Sequence, residues 1–489
     1  MTNRFQFSHR LQKLFFFLFR EGPTLAWSKV KASLLQQSVI AERAVVIVYG
    51  TDSLGEMYFA VGPQDVPRAD TMSFLDEWCF PVADGGQFEE FQSIVASYFN
   101  QNPEHYFNLF HFSPLAGHNN YFCLANVLAE KGVSGDLTSR VGIGTKGRGF
   151  PNEECKVRDQ HITRRGINLF LAGAGAYACA YILPNVKRFV YHSIIDLNPC
   201  LAAVVGERYG FRYRETSYRR ALERLRDCPE PVLVIATYHS THVEIAEEGL
   251  FRNSGTRIFL EKPPVTDHDQ LRRLLDLRSR KAFIEIGYNR RYAPMALKAA
   301  ELIKAKGGGP VIMTCIIKEL ALPSYHWYYW PSQGTRVTGN LCHWIDLGTA
   351  LIDASPKMVT VVSAVDARPG DELTVTVTYD DGSRLNLVAT DHGNPLRGVQ
   401  EYIDIRRGDL TVAINDFLVM TTQEGGRQRV HRSVIRDKGH TRMYRDFSRR
   451  VQTGAHHSYP DQDLLVSSTI YLAVVKCVKE GLRSVSLKN

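Results

Sequence analysis

The sequence predicts an α/β doubly wound parallel sheet, followed by an α+β domain with a mostly antiparallel sheet and preceded by an additional N-terminal α+β region. Two observations predict this. Between residues 166 and 290, short apolar runs alternate with segments of helical length, which is typical of a parallel sheet covered by helices. After about residue 308, strand-like runs follow one another until two helices close the pattern. At 489 residues, the chain has room for about three domains.

The composition is that of a folded globular protein. Hydrophobic residues make up 44% of the chain and charged residues 22%, which excludes a mainly disordered, collagenous or coiled-coil chain. The net charge of +8 is modest for this length and gives no argument for nucleic-acid binding. Nine cysteines without a C-x-x-C pair indicate neither a disulfide framework nor a zinc site. We therefore expect a cytoplasmic protein without a bound metal.

The first predicted region, residues 1–43, is a basic amphipathic segment. Residues 1–31 carry six Lys or Arg and one acid, with Phe, Leu and Trp between them. The apolar run at 14–19 is shorter than the roughly 7 to 15 apolar residues of a signal peptide, and no stretch reaches the ~20 of a membrane span. Two interpretations stay open: a peripheral helix that touches anionic lipid, and a helix docked on its own protein or on a partner. The second is favoured, because stable anchoring generally takes more than one such signal.

The second predicted region, residues 44–160, has strand-like runs at 44–50 and 57–62 but no chemistry that the sequence reveals. It contains a G-x-G-x-x-G pattern that begins at Gly142. Neither a strand before this pattern nor a helix after it is predicted, so we interpret it as a turn.

A stronger glycine motif opens the third predicted region, residues 166–290. The apolar run at 167–172 leads directly into the sequence G-A-G-A-Y-A and then into a helix. Gly173 permits the tight turn, Gly175 lets the backbone approach a pyrophosphate, and Ala178 allows close packing of helix on strand. Free N–H groups at the helix N-terminus favour an anion there. Strand, turn and helix together predict a Rossmann domain that binds a dinucleotide.

Asp196 indicates which dinucleotide is bound. It follows the apolar run at 189–195, where its carboxylate would accept hydrogen bonds from the adenosine ribose and repel a 2′-phosphate. NAD is therefore predicted rather than NADP. Ligands of such sheets bind beyond the carboxyl ends of the strands. The residues predicted on that basis to contact the cofactor are Gly173, Gly175, Ala176, Tyr177, Asp196, Thr237, His239, Glu261, Lys262 and Arg290.

The alternation of strands and helices continues through this region. Further strands are predicted at 231–236, 257–260 and 282–286, and helices at 177–183, 201–209, 218–226, 241–250 and 267–278.

The last predicted region, residues 291–489, is the α/β substrate and oligomerisation domain. Strands are predicted at 311–318, 358–365, 373–379, 383–390, 399–406 and 409–414, and helices at 440–452 and 463–480. The sequence Asp380-Asp381-Gly382 is typical of a hairpin turn between two of these strands. With helices on one face, the open face of the sheet would pair with another subunit or cover the active site. A homo-oligomer is expected.

Five motifs in a fixed order carry a resemblance to a known family. They are G-A-G-A-Y-A at 173–178, A-T at 236–237, E-K-P at 261–263, G-Y-N-R-R-Y-A-P at 287–294 and H-x-x-D at 343–346. Singly each is weak, but in this order they resemble the glucose-fructose oxidoreductase, inositol dehydrogenase and MocA family (Gfo/Idh/MocA). The resemblance covers about residues 166–489.

The resemblance implies an NAD(P)-dependent oxidoreductase that acts on a hydroxyl or keto group of a sugar, nucleotide-sugar or cyclitol. It also implies that Lys262 lies beside nicotinamide and substrate and that His343 is the general acid/base. The chemistry agrees, because alcohol oxidation needs a base of near-neutral pKa within hydrogen-bond reach of the hydroxyl. Glu261 is interpreted as structural. The alternative function is a non-catalytic dinucleotide-binding sensor or partner-binding protein.

The substrate side shows one departure from the family. Many members carry an Asp four residues before the catalytic His, where this chain has Gly339. The following residue, Asn340, can bond a substrate hydroxyl but cannot take a proton. Asp346 would orient His343, cap a neighbouring contact or meet the substrate. In the aromatic cluster at 325–330, Trp327 and Tyr328 are candidates for stacking on a sugar, and a sheet-edge or subunit patch is the other interpretation.

Overall fold

The computed structural model describes most of the chain from residue 166 onward and separate pieces before it. The described residues are 19–41, 45–50, 59–62, 77–82, 106–109, 120–125, 166–196, 199–215, 218–322, 328, 333–364, 370–393 and 398–487. The G-x-G-x-x-G pattern that begins at Gly142 and the aromatic Trp327 lie outside them.

The described part of the N-terminal region contains one helix and a five-stranded antiparallel sheet. The helix is α1 (Pro23–Ala41), and the strands are β1 (Val45–Gly50), β2 (Phe59–Gly62), β3 (Glu77–Val82), β4 (Tyr106–Leu109) and β5 (Asn120–Ala125). The sheet order is β3-β5-β2-β1-β4. Strands β1 and β2 coincide with the two apolar runs that predicted them.

The next region is the predicted doubly wound sheet. Its strands are β6 (Asn168–Ala172), β7 (Val190–Ile195), β8 (Tyr213–Glu215), β9 (Pro231–Ile235), β10 (Arg257–Glu261) and β11 (Ile284–Gly287), in the parallel order β11-β10-β9-β6-β7-β8. Its helices are α2 (Pro199–Tyr209), α3 (Tyr218–Glu223), α4 (His242–Arg252) and α5 (His268–Ser279). The apolar runs become strands because both faces are covered, and β9 is buried along its whole length. The three-residue strand β8 escaped prediction because it is too short to show a period.

The nine-stranded sheet that follows in the chain is the predicted, mostly antiparallel one. Its strands are β12 (Ile312–Lys318), β13 (Pro356–Ser363), β14 (Leu373–Tyr379), β15 (Arg384–Thr390), β16 (Gln400–Arg407), β17 (Leu410–Asn415), β18 (Val419–Glu424), β19 (Arg427–Arg432) and β20 (Ser484–Ser486). The order is β19-β18-β17-β16-β12-β15-β14-β13-β20, with β12 and β15 parallel. The helices are α6 (Pro294–Lys306), α7 (Cys342–Leu351), α8 (His440–Thr453) and α9 (Asp461–Glu480).

Period-two alternation explains most of this sheet. Along β14, Leu373, Val375, Val377 and Tyr379 are buried while the residues between them are more exposed. The predicted hairpin joins β14 to β15, and Gly382 takes the left-handed backbone conformation, with φ +88°, that its turn requires. Strand β19 was missed because all six of its residues are exposed and mostly polar, so no apolar alternation marks it.

The chain forms two compact units. The glycine-turn unit comprises residues 30–260 and 330–332, and the histidine unit comprises residues 1–29, 261–329 and 333–489. Strands β6 to β9 belong to the glycine-turn unit, whereas Lys262 and His343 belong to the histidine unit. Among the helices of the described residues, none is both long and apolar enough to cross a membrane.

The described start of the chain is bound to the histidine unit. The Arg20 carbonyl accepts a hydrogen bond from the backbone N–H of Arg436, and the Glu21 carboxylate pairs with the side chains of Arg436 and Lys29. Burial raises the pKa of Glu21, but the charges of Lys29 and Arg436 outweigh it and lower that pKa overall. Docking on its own protein therefore applies to these residues. Residues 1–18 lie outside the described part, and lipid contact there stays a prediction.

Replacing Glu21 should weaken the histidine unit. In Glu21→Ala, Arg436 keeps its bonds of 3.0 and 3.1 Å to Asp416 but loses a buried partner, so we expect a loss of about 1–3 kcal/mol of unfolding free energy. Because the pKa of Glu21 is lowered, this contribution is present above the ordinary value of 4.5 and is lost as the pH falls below it. Thermal unfolding at two pH values measures both effects.

The matched control for this measurement is Glu301→Ala. Glu301 pairs with Lys298 on the surface, and its side chain is 67% exposed, so its removal should change the unfolding free energy by less than about 0.5 kcal/mol. Equal melting temperatures for the two variants would contradict the docking of Glu21.

Candidate functional site

The glycine-rich turn after β6 is shaped by a close approach of two backbone segments. Gly173 has φ +97°, and a Cβ on it would lie 2.7 Å from the carbonyl carbon of Ala236, which follows β9. Its N–H donates to the Ile195 carbonyl at 2.7 Å. No side chain fits at this position, so the tight turn requires a glycine, and the contact of Gly173 with a cofactor stays a prediction.

Gly175 has the opposite surroundings. A Cβ built on it would meet no atom within 4 Å, among the described residues, so the backbone there borders open space. Ala176 is exposed and Tyr177 half-exposed, and they begin the helix that continues as a π-helix over Ala178–Ile182. An open glycine at the start of a helix is the cradle that a pyrophosphate needs. The residues present therefore fit a dinucleotide.

Asp196 has a structural task that the sequence did not predict. It is buried, and its Oδ2 accepts a hydrogen bond from the backbone N–H of Ala174 at 2.6 Å. The carboxylate therefore braces the glycine-rich turn from the end of β7. Its contact with a ribose stays a prediction.

Thr237 and His239 lie in a tightly bonded corner after β9. The Thr237 hydroxyl is 2.9 Å from the hydroxyl of Thr241, and its carbonyl is 3.2 Å from Nε2 of His242. His239 is buried with its ring against that of His242 at a centroid distance of 5.9 Å. Both residues stand at the carboxyl end of the strand, as predicted, and their cofactor contacts stay predictions.

Two other predicted cofactor residues are engaged inside the histidine unit. Glu261 is buried and accepts a hydrogen bond from the Tyr444 hydroxyl, which agrees with its structural interpretation. Arg290 is also buried, and its Nε and Nη2 donate to Glu401 at 2.7 and 3.0 Å while its guanidinium lies 4.2 Å above the Trp344 ring. These contacts give Arg290 a packing role, and its contact with the cofactor stays a prediction.

Lys262 is half-buried at the carboxyl end of β10. Its peptide bond to Pro263 is cis, and its Nζ donates to the Gly339 carbonyl at 2.5 Å. The two positions are 77 residues apart in sequence. The fold therefore brings the E-K-P motif to the turn that precedes His343.

His343 lies near the start of α7 and is only 8% exposed. Its ring meets the edges of Tyr288 and Trp344 at centroid distances of 6.2 Å each, and its Nδ1 has no hydrogen-bond partner among the described residues. Burial, reinforced by nearby positive charges, holds its pKa well below the ordinary 6.5. The positive groups are those of Arg290, Lys262 and Lys438. The imidazole is therefore neutral at neutral pH and able to accept a proton.

Asp346 has different partners from the predicted ones. It is fully buried, pairs with Arg291 at 2.8 Å and accepts a hydrogen bond from the Tyr459 hydroxyl at 2.5 Å. These bonds fit the alternative in which Asp346 caps a neighbouring contact, and its contact with a substrate stays a prediction. Asp346 anchors the helix that carries His343, one turn further along.

The turn that precedes α7 is a π-helix over Val337–Leu341. Asn340 belongs to this turn, and Tyr328 packs against it at Gly339. A Cβ on Gly339 would lie 2.5 Å from Cζ of Tyr328, so the ring occupies the space of a side chain at 339. Asn340 donates through Nδ2 to Glu319. This bond uses the amide that was predicted to meet a substrate hydroxyl.

Sequence reasoning missed two buried carboxylates, Glu319 and Glu401. Glu319 directly follows β12. Functional residues were predicted past the strand ends of the doubly wound sheet only, so a residue past β12 was not among the candidates. Glu401 stands at an inward position of β16, where an acid among alternating apolar residues was the available signal.

The described residues include one group with the geometry of a metal site. Ligand atoms of Glu372, Asp391 and His392 lie within 4.8 Å of one another. The His392 side chain is 82% exposed, and exposed acidic groups of this kind are common without an ion. We assign no metal to them.

Solved structures share this fold. The aldose-aldose oxidoreductase of Caulobacter crescentus, solved with glycerol, is 18% identical with a TM-score of 0.57, over 66% of this chain and 100% of its own. GenD2 from gentamicin A biosynthesis, in complex with NAD, is 18% identical with a TM-score of 0.55, over 66% and 97%. A dehydrogenase from Clostridium difficile is 16% identical with a TM-score of 0.52, over 64% and 99%.

These likenesses confirm the predicted fold class and, at the level of fold, the resemblance to Gfo/Idh/MocA oxidoreductases. The aligned share of 66% agrees with the 166–489 extent of the motif pattern. No model of a known protein family matches the chain, and no curated protein sequence does.

Proposed function

We propose that this protein is an NAD-dependent oxidoreductase acting on a secondary hydroxyl or keto group of a sugar, nucleotide-sugar or cyclitol. The observation that carries the proposal is the glycine-rich turn after β6, where one glycine is forced by a neighbouring backbone and the next borders open space. Strand order reverses at β6, between β7 and β9. This is the position at which doubly wound sheets bind dinucleotides.

The residues that would hold the cofactor are those of the turn and of the strand ends beside it. Gly173 and Gly175 admit the pyrophosphate, and Asp196, which braces the turn, faces the adenosine ribose. A carboxylate there repels the additional phosphate of NADP, which favours NAD. When bound, the nicotinamide supplies the acceptor or donor of a hydride.

His343 and Lys262 are the residues that handle the proton of the alcohol in this proposal. Oxidation of a secondary hydroxyl releases one proton, and the neutral imidazole of His343 accepts it. The Lys262 ammonium, held by the Gly339 carbonyl, donates a hydrogen bond to the reacting oxygen. In the reduction direction the same two groups return the proton.

The substrate class rests on the aromatic lining and on the names of structural neighbours. Tyr328 is half-buried at the turn before α7, where its ring can stack on the C–H face of a sugar. The neighbours include an aldose-aldose oxidoreductase and an enzyme of gentamicin A biosynthesis. Both names favour a saccharide or a related polyol.

The alternative is a non-catalytic dinucleotide-binding sensor. It is favoured by one observation: position 339, where many members of the resembled family carry an Asp, holds a glycine, and Tyr328 fills the place of a side chain. A sensor would bind NAD without turning over any substrate.

A second copy of the chain is the partner we propose for the open face of the second sheet. Ile316 on β12 lies directly opposite Val388 on β15 and Tyr402 on β16. The three side chains are 49%, 37% and 40% exposed. An apolar row across three central strands is unusual on a free surface and suits a symmetric partner.

Gly173→Ala should abolish tight NAD binding. The new methyl group would press on the carbonyl of Ala236 and displace the turn, so we expect the dissociation constant to rise at least about tenfold. The matched control is Gly210→Ala, because Gly210 also has positive φ, +76°, but open space around it. Isothermal titration with NAD and with NADP measures both variants. Unchanged affinity in Gly173→Ala, with the fold intact by circular dichroism, would place the cofactor elsewhere.

Lys262→Ala and His343→Ala should lose turnover while NAD still binds. Removal of a general acid or base lowers kcat by about 10²- to 10⁴-fold. The assay follows reduced nicotinamide with a panel of aldoses, cyclitols and nucleotide-sugars, and His392→Ala, an exposed histidine, serves as control. Since the pKa of His343 is lowered, kcat/KM for wild-type oxidation should begin to fall only at a pH below 6.5.

This assay also separates the two candidate functions. If the wild type binds NAD but turns over no member of the panel in either direction, the enzyme hypothesis is wrong and the sensor hypothesis is favoured. Wild-type turnover that survives both substitutions would move the proton chemistry to other residues.

Ile316→Glu should convert an oligomer into a smaller species. A charge in the middle of the apolar row would be desolvated on pairing, which costs several kcal/mol. Sedimentation velocity on wild type and variant measures the state, with Val434→Glu as control because Val434 is 81% exposed outside any strand of this sheet. A monomeric wild type would refute the proposed partner.

A further inference from the structure

The turn before His343 cannot carry an acid at position 339. Gly339 lies in the π-helix Val337–Leu341, and the ring of Tyr328 fills the space in which its side chain would lie. The hydroxyl of Tyr328 is also 3.5 Å from the Gly339 carbonyl. A carboxylate that contacts this turn therefore has to belong to another element of the fold.

Such a carboxylate is present at the end of β12. Glu319 is fully buried, and its backbone N–H donates to the Thr390 carbonyl at 2.7 Å, which fixes it as an extension of the sheet. Its Oε2 accepts hydrogen bonds from Nη1 of Arg336, at 3.3 Å, and from Nδ2 of Asn340. Its Oε1 is buried and has no partner among the described residues.

Glu319 and Lys262 hold the same short stretch of backbone. Lys262 donates to the carbonyl of Gly339, and the next residue, Asn340, donates through its side chain to Glu319. Burial raises the pKa of Glu319 overall, although Arg336, Asn340, Arg290 and Lys262 each act to lower it. An ammonium and a carboxyl group therefore flank one turn immediately before the proposed base.

Charge balance around Arg336 does not account for Glu319. Arg336 is buried, but its Nε donates to Asp371 at 3.0 Å and its Nη1 donates to the Leu320 carbonyl at 2.8 Å. Asp371 is thus a counter-charge for the guanidinium without Glu319. A second buried acid with an unsatisfied oxygen costs stability, so it needs a reason beyond pairing.

We infer that Glu319 is a positioning residue for the reaction proposed above, and that it supplies from the end of β12 the carboxylate that position 339 lacks. Through Asn340 it fixes the turn so that the Gly339 carbonyl positions the Lys262 side chain. It is buried and does not touch the substrate. The inference rests on the proposed function.

Glu319→Gln tests the role of the charge. Glutamine keeps the size and an acceptor oxygen, so the fold should survive, while Asn340 no longer donates to a carboxylate and the turn is held less firmly. We expect kcat/KM to fall about 10- to 100-fold through misaligned chemistry, with the fall in kcat rather than in KM. NAD affinity should not change, and Glu319→Asp should recover part of the loss.

Asp371→Asn is the matched control, because it removes the other carboxylate on Arg336 and keeps the bond between Asn340 and Glu319. It should lower the melting temperature and leave kcat/KM in place. An active wild type whose Glu319→Gln variant keeps its kcat/KM overturns this inference alone. So does a Glu319→Gln variant that merely melts earlier, as the control does. A wild type without turnover overturns the proposed function and this inference with it.

Discussion

The carboxylate of Glu401 is the contact on which the histidine unit depends. It is buried in β16 and accepts hydrogen bonds from Arg290, at 2.7 and 3.0 Å, from Nζ of Lys438 at 2.5 Å and from Nε1 of Trp344 at 2.8 Å. Burial raises its pKa, but Arg290 and Lys438 outweigh burial and lower the pKa to about 2. A buried carboxylate persists only when it is paired and bonded in this way. One side chain thereby joins a strand, the helix of His343 and two connecting segments.

The chemistry of the proposed base follows from this arrangement. Arg290 and Lys438 are fixed beside α7 by Glu401, and together with burial they keep His343 neutral. The same helix is anchored one turn later by the pair of Asp346 and Arg291. Two buried acids thus hold α7 in place, while neither touches the histidine ring in the described part of the chain. The helix is thereby held on both sides of the proposed base, which is what a positioned base requires.

Most of the fold could be predicted because its elements carry local patterns. The run at 373–379 alternates with period two and became β14 with the same bounds, and the run at 231–236 is apolar throughout and became the buried β9. Prediction failed where the local pattern was weak: β19 is exposed on both faces, and β8 has three residues. Helix α6 begins at Pro294, the last residue of the motif at 287–294. That motif was interpreted only as a family resemblance, so the helix was not predicted.

The candidate site likewise contains residues that local motifs predict and residues that they do not. By itself the sequence determined the glycine-rich turn and the candidates Lys262 and His343, since these lie in short motifs of a few neighbouring positions. Only the tertiary structure decided that Tyr328 excludes a side chain at 339, that Glu319 bonds to Asn340 from the end of another strand, and that Asp346 pairs with Arg291. These partners lie between 11 and 55 residues apart in the chain. A contact at such separation is set by how the elements pack, and no local pattern of residues records it.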